Sequence, residues 1–232
     1  MLKRGRLGLR IRWISGWLGA TLGPVGCRSH SPVLDPTPRE LAWVGPDSFL
    51  VAVSTSRGRV VIAAHRDWSP LAVDRLHFLV RHRYYDGARF FRMVPGFVVQ
   101  WGLAGDPAWS AVWADRRLPD EPVRQSNTRG MIAYARGGPN TRSVQLYVNL
   151  GNNARLDTLN TFGFPPIGEV IQGMALFDSM FAGYSCQRGG QGTCPSQDSI
   201  RTGGNAYLAR VHPRLDYIGE ARITREWKRR KP

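Results

Sequence analysis

Metal ligands are scarce in this 232-residue chain, which holds five histidines and three cysteines. The histidines, His30, His65, His77, His82 and His212, are scattered. His77 and His82 fall in one helical stretch, but at a spacing of five they do not face the same way. Cys186 and Cys194 bracket the glycine-rich "QRGGQGT", with no histidine near enough to complete a zinc site. Carboxylates are also sparse, 17 against 32 lysines and arginines, and no two form an evident acid/base pair. Ser143 and Ser185 lack the strand-to-helix context of a nucleophile elbow. No glycine-rich phosphate loop and no dinucleotide fingerprint occurs. Neither a metal nor a cofactor is therefore expected. Internal repeats, helix-turn-helix, zinc-finger and RNA-recognition patterns are missing too, and no apolar run is long enough for a comfortable membrane-spanning helix.

What is abundant is positive charge. The formal net charge is +15 with a pI near 10.9, and most of the cations are arginine. Such a balance attracts polyanions. The basic residues are scattered, however, except at the N-terminus and in the closing "REWKRRKP", which suits a solvated surface better than a nucleic-acid site. The first residues, "MLKRGRLGLRIR", are cationic, and "WISGWLGATLGPVG" is a short apolar stretch ending at Cys27. That order is the layout of a secretory signal, and the cysteine resembles a bacterial lipoprotein cleavage site, although Pro24 stands where such sites carry leucine. Export is expected, with membrane anchoring through a lipidated Cys27 as one form of it. The alternative is a basic arm on a cytoplasmic protein. Residues 28–46, including "SHSPVLDPTPRE", read as a proline-rich tether that builds no core. In an oxidising compartment Cys186 and Cys194 are expected to form a disulfide; otherwise they are free thiols in a flexible loop.

Structure begins near residue 47. "FLVAVST" and "GRVVIAAH", joined by "SRG", read as an antiparallel hairpin. A helix follows in "SPLAVDRLHFLVRHRYYDG", with Ser69 as N-cap, Pro70 at the first helical position and Ala72, Leu76, Leu79 and Val80 on one face. "MIAYAR" and "VQLYVNL" are short strands around the turn "GGPNTRS". "IGEVIQ" is a strand, "GMALFDSMFAG" a short helix with Met174, Phe177 and Phe181 inward, and "YIGEARIT" a last strand. "GLAGDPAWSAVWADRRLPDEPVRQSNTRG" and "NNARLDTLNTFGFPP" read as loops, and "GNAYLARVHPRLD" as one or two helical turns. Strands do not alternate with helices, which argues against a doubly wound fold. The pattern predicts a mainly β domain over 47–226, a closed antiparallel barrel of many short strands capped by two α-helices, with a basic tail at 227–232.

The best core-building stretch, "FFRMVPGFVVQWG", carries a cation and a Pro-Gly break. It matches Phe-x-Arg-x-x-Pro-Gly-Phe-x-x-Gln through Phe90, Arg92, Pro95, Gly96, Phe97 and Gln100. A second run supplies Gly138, Pro139, Asn140 and Thr141, then Gln145 and Tyr147. "LDT" and "GEVIQGMALFD" follow in order. From about Phe49 to about Tyr184 the chain resembles the cyclophilins, the barrel-shaped peptidyl-prolyl isomerases, which implies that the closed barrel has eight strands. The resemblance implies that Arg92 is catalytic, supported by Gln100, and that Phe97, Val98, Tyr147 and Leu156 hold a proline ring. Counting back from "IGEV" makes Phe164 a further wall; counting forward from "LD" points to Asn160, and Phe164 is favoured. A peptide backbone would run along Ala135 and Arg136 as an added strand, with Gln145 contributing. In isolation each residue also has a plainer role: Phe97, Val98, Tyr147 and Leu156 as core, Arg92 as an edge-strand cation.

The implied partners are proline-containing polypeptide segments, and a monomer and no nucleic acid are expected. The implied role is folding assistance outside the cytoplasm, the alternative being a cyclophilin-like binding module with little turnover. Several positions depart from the family pattern. Phe91 replaces a common histidine, Trp101 a glycine, Arg155 a tryptophan associated with cyclosporin binding, and Tyr147 a phenylalanine. Weak drug sensitivity follows. Arg136 stands where asparagine is frequent, in a largely main-chain role. The segment 185–212 is longer than in compact members.

Overall fold

A computed structural model describes residues 30–184, 186 and 193–228. Cys27 and the signal-like segment lie outside the described residues. Eight strands, β1 (Ser48–Thr55), β2 (Gly58–His65), β3 (Arg92–Val94), β4 (Val98–Trp101), β5 (Met131–Tyr134), β6 (Leu146–Asn149), β7 (Pro166–Gln172) and β8 (Ile218–Trp227), form one sheet. Its order is β3-β4-β6-β5-β7-β2-β1-β8, and every pairing is antiparallel. The expected closed barrel is corrected to a curled sheet with a seam. Between its outer strands β3 and β8 there is no ladder, only a bridge of Arg89 to Tyr217 flanked by bonds such as Phe90 N–H to Asp216 O at 2.9 Å. β3 has three residues, too few to reach along the ten of β8.

The strands alternate because one face is buried. In β1, Phe49, Val51 and Val53 point inward while their neighbours do not. They meet Val60 and Ile62 of β2, Val99 and Trp101 of β4, Ile132 of β5, and Leu146 and Val148 of β6 in one apolar core. Helix α2 (Pro70–Arg81) closes one side with Ala72, Leu76, Leu79 and Val80, all buried. Its N-terminus is capped differently from the sequence reading. The Ser69 side chain does not cap it; Glu121, on a distant loop, accepts from Leu71 N–H at 2.8 Å and Ala72 N–H at 3.2 Å. A carboxylate there satisfies orphan amides and suits the helix dipole. Arg142, fully buried, donates to Glu121, Ser69 and the Pro119 carbonyl and fixes that loop in place.

Five α-helices occur among the described residues, not the two expected. Besides α2 there are α1 (Pro38–Leu41), α3 (Pro107–Ala114), α4 (Met174–Asp178) and α5 (Gln197–Val211). In α4 Phe177 is buried and Met174 partly so, but Phe181 is only half-buried and stacks edge-on with Tyr184 outside the core. The stretch read as a core-free tether also contributes: Val33 is buried, and its carbonyl accepts from the Trp113 indole at 2.8 Å. Helix α5 is the largest departure, because its sequence is polar with two adjacent glycines. Gly204, at φ +52°, breaks it into two pieces, and a Cβ there would run into the Gly105 carbonyl. Ile200 and Leu208, one from each piece, pack with Phe91, Leu103 and Leu215 into a second cluster. No helix among the described residues is long and apolar enough to cross a membrane.

Candidate active site

Strand register assembles one row of side chains. Arg92 lies opposite Gln100 across β3 and β4, Gln100 opposite Tyr147 across β4 and β6, and Tyr147 opposite Ala133 across β6 and β5. Residues directly opposite share a face, so all four project to the side away from the main core. The turn after Val94, closed by Phe97 N–H to Val94 O at 3.0 Å, sets this register. Trp101, one residue beyond Gln100, must then point inward. It is 3% exposed and stacks on Phe177. The glycine requirement falls at Gly102 instead, at φ +113°, where a Cβ would strike the Val144 carbonyl.

On the outward face Phe97, Val98, Ala133, Tyr147 and Leu156 form their own apolar cluster, with Ala135 and Phe164 against it. All of these but Ala133 line a cleft of about 780 Å³, to which Arg92, Gln100, Arg136, Arg155 and Gln197 also contribute. The cleft thus gathers the expected Arg92, Gln100, Phe97, Val98, Ala135, Arg136, Tyr147, Leu156 and Phe164. Gln145 borders the adjoining hollow and bonds Gln100. Asn160 is an exposed turn residue at φ +56° and does not line the cleft.

Arginine dominates the electrostatics. Among the described residues, no aspartate, glutamate or histidine lines the cleft. Arg92 donates to Gln100 Oε1 at 3.2 Å, and its guanidinium lies 5.8 Å from the centre of the Phe97 ring. Burial lowers the Arg92 pKa from its ordinary value, yet arginine begins so far above neutrality that it stays charged. Arg136 has a side-chain exposure of 1% and a role beyond its main chain. It pairs with Asp120 at 3.2 Å, donates to the Leu159 carbonyl at 3.1 Å and lies 5.0 Å from the Phe164 ring centre. Asp120 is itself held by the Gly-Pro-Asn-Thr turn, since it accepts from Asn140 N–H at 2.9 Å and Asn140 Oδ1 accepts from Asp120 N–H at 2.7 Å. That turn therefore buttresses the Phe164 wall.

The family model described as cyclophilin type peptidyl-prolyl cis-trans isomerase/CLD matches residues 50–201. The chain belongs to the cyclophilin-type peptidyl-prolyl cis-trans isomerases. It is similar to the peptidyl-prolyl cis-trans isomerase-like 3 of Mus musculus, 30% identical over 137 residues, covering 56% of this chain and 80% of that one. It is also similar to the peptidyl-prolyl cis-trans isomerase A of Dickeya dadantii, 29% identical over 157 residues, covering 64% and 79%. Among solved structures, a cyclophilin type peptidyl-prolyl cis-trans isomerase of Cryptosporidium parvum has the same fold, with a TM-score of 0.55 at 17% identity, covering 77% of this chain and 99% of that one. The same protein has been solved in the presence of the dipeptide Ala-Pro, with a TM-score of 0.53 to this chain.

The departures of this cyclophilin from the family pattern now have locations. The Tyr147 hydroxyl donates to Asn127 Oδ1 at 2.9 Å, behind the pocket. Burial pushes its pKa well up, so it remains a neutral phenol. Asn127 belongs to a buried polar layer that sequence reasoning missed. It donates to Asp157 and to the Phe164 carbonyl, both at 2.8 Å, and Asn153 donates to the Phe97 carbonyl at 2.9 Å. These amides hold the pocket's main chain from behind, and no local spacing signals them. Phe91 is 1% exposed and packs against α5. Arg155 lies 5.0 Å from the Phe97 ring centre at the cleft mouth. The structure bonds Cys186 to Cys194, which brings Cys194, Pro195, Ser196 and Gln197 to the cleft.

Proposed function

We propose that the cleft accelerates rotation about X-Pro peptide bonds in unfolded or flexible protein segments, with Arg92 stabilising the twisted amide. An X-Pro amide resists rotation because its C–N bond is partly double, which sets a barrier of roughly 18–20 kcal/mol. Twisting removes that resonance and leaves a lone pair on the proline nitrogen. A guanidinium can donate to that nitrogen only in the twisted state, so the interaction lowers the barrier rather than tightening the ground state. The proline ring would lie on Phe97, Val98, Leu156 and Phe164, where burying its methylenes contributes roughly 2 kcal/mol. The peptide would pair along Ala135 and Arg136 as an added strand. Gln100 would hold the Arg92 fork in direction.

The observation that carries this reading is the register pair Arg92–Gln100, set beside a separate apolar cluster, with no carboxylate among the described residues that line the cleft. A neutral acceptor directs the guanidinium without cancelling its charge. The test is cis/trans exchange in an X-Pro peptide, comparing the native chain with Arg92→Ala. The native rate should exceed the variant's by about 100-fold or more, the size of one well-placed transition-state donor. Equal, near-background rates would leave a proline-peptide binding module. Phe91 and Trp101 lend that second reading no support, since both are buried in packed clusters and leave Arg92 bonded to Gln100.

We also propose that this activity is exerted outside the cytoplasm. The supports are the Cys186–Cys194 disulfide and the cationic-then-apolar order of residues before Cys27. The mass of the mature N-terminus tests it: retention of Met1 would oppose export, and a diacylglyceryl mass on Cys27 would assign the anchor.

A further inference from the structure

The amide of Gln100 does not end the hydrogen-bond chain that begins at Arg92. Gln100 Nε2 donates to Gln145 Oε1 at 2.7 Å, and Gln145 Nε2 donates to Gln197 Oε1 at 2.9 Å. The direction of the chain is forced. A guanidinium has donors only, so the neighbouring amide must turn its oxygen toward Arg92 and its NH₂ away. That orientation passes to Gln145 and stops at the oxygen of Gln197. We propose that Gln197 is a positioning residue for Arg92: it supplies the terminal acceptor that locks the amide relay Gln100–Gln145, an inference that rests on the isomerase reading above.

Two further observations place Gln197 on a rigid support. Its backbone is the first residue of α5, capped by Ser196 Oγ accepting from Ser199 N–H at 3.3 Å, and the adjoining Cys194 is bonded to Cys186. Ile200, nearly one turn further, is 1% exposed against Phe91, the residue preceding Arg92. Helix α5 thus acts as a jaw against the sheet, gripping one end of the relay while Arg92 forms the other. Bonds in such a row polarise one another, and each amide has a second rotamer that the next bond suppresses. Without the acceptor, Gln145 can turn its NH₂ elsewhere, and Gln100 then holds the guanidinium less firmly.

The experiment compares Gln197→Met, Gln197→Glu and Arg92→Ala with the native chain. Met matches the length of Gln without an acceptor, and Glu keeps one. The readouts are kcat and KM for an X-Pro peptide, thermal midpoint, and the side-chain NH₂ signals of Gln100 and Gln145. The Met variant should lose about two- to tenfold in kcat/KM, the weight of one neutral hydrogen bond, mainly in kcat. Its thermal midpoint should hold and the Gln145 NH₂ signals should shift. The Glu variant should recover to within about twofold of the native rate, the residue of an altered charge. Native kinetics with unmoved signals in the Met variant would overturn the inference, as would a loss in both variants that tracks thermal stability. If the native chain is no faster than Arg92→Ala, the isomerase reading fails by itself. The NH₂ signals then decide the relay: a shift in the Met variant alone supports it, and none refutes it.

Discussion

The two faces of strands β4 and β6 share a backbone and do opposite work. Inward, Val99, Trp101, Leu146 and Val148 join the main core, closed by rings such as Phe90 and Phe177. Outward, Val98, Gln100, Tyr147 and Asn149 alternate apolar groups with amides, and part of this surface lines a cleft. The inner face fixes the register by excluding water. The outer face inherits that register and spends it on positioning. Substitutions on the inner face should therefore be read as stability, and those beside Arg92 as rate.

The strongest way to break this contrast is Trp101→Ala. Removing a packed aromatic from the core should destabilise the fold by about 3–5 kcal/mol, measured by denaturant unfolding. A loss below about 1 kcal/mol would mean that the inner face does not hold the sheet. Next comes Arg92→Lys, which keeps a charge but loses the planar fork. It should lower kcat/KM by about 100-fold, equivalent to about 2.7 kcal/mol, while the unfolding midpoint stays put. An equal loss of stability would make Arg92 a structural cation.

Acidification separates the faces without mutation. His77 lies on the core side, against Phe49, and its Nδ1 accepts from the Trp43 indole at 2.9 Å while Nε2 meets Glu226 at 2.8 Å. Burial lowers its folded pKa, outweighing the opposing pull of Glu226. The unfolded chain then binds the extra proton first, at about pH 6.5, so stability is full above that pH and falls below it until the folded pKa is reached, by at most about 1.4 kcal/mol per pH unit. No acid or histidine is among the described residues that line the cleft. Activity should therefore stay level across the same range while the protein remains folded, and a kcat/KM titration near pH 6.5 would contradict the assignment. The smallest effect is Tyr147→Phe. It breaks one hydroxyl bond to Asn127 and should cost about 1 kcal/mol of stability, with kcat/KM changing less than about threefold. A larger kinetic loss would move that hydroxyl into the pocket.

Motif resemblance made much of the cleft legible. Arg92 and Gln100 flank a tight turn, so their separation in sequence is also their pairing in space. Val98 and Tyr147 came from the family resemblance; alone, their strand-like surroundings also fitted plain core. Trp101 resisted because a family position, not strand parity, guided its reading. What stayed hidden depends on contacts between distant segments. Glu121 caps a helix that begins some fifty residues earlier, Asn127 bonds Tyr147 and Phe164 from a loop, and Gln197 meets Gln145 from the long insertion. Polar residues in loops carry no periodicity that announces such partners. The seam between β3 and β8 was invisible for a related reason, since strand count alone does not say whether the ends meet.

The bend at Pro95 and Gly96 acts as a counter. Side chains on a strand take only two directions, so the number of residues in that bend is read as odd or even. One residue more or fewer, with β4 held in place by β6, would send Met93 toward the substrate and fold Arg92 into the core. The cleft's geometry is thus not a quantity that drifts with small sequence changes. It is a binary setting, and the chain's worst strand-forming dipeptide is the switch that keeps it in position.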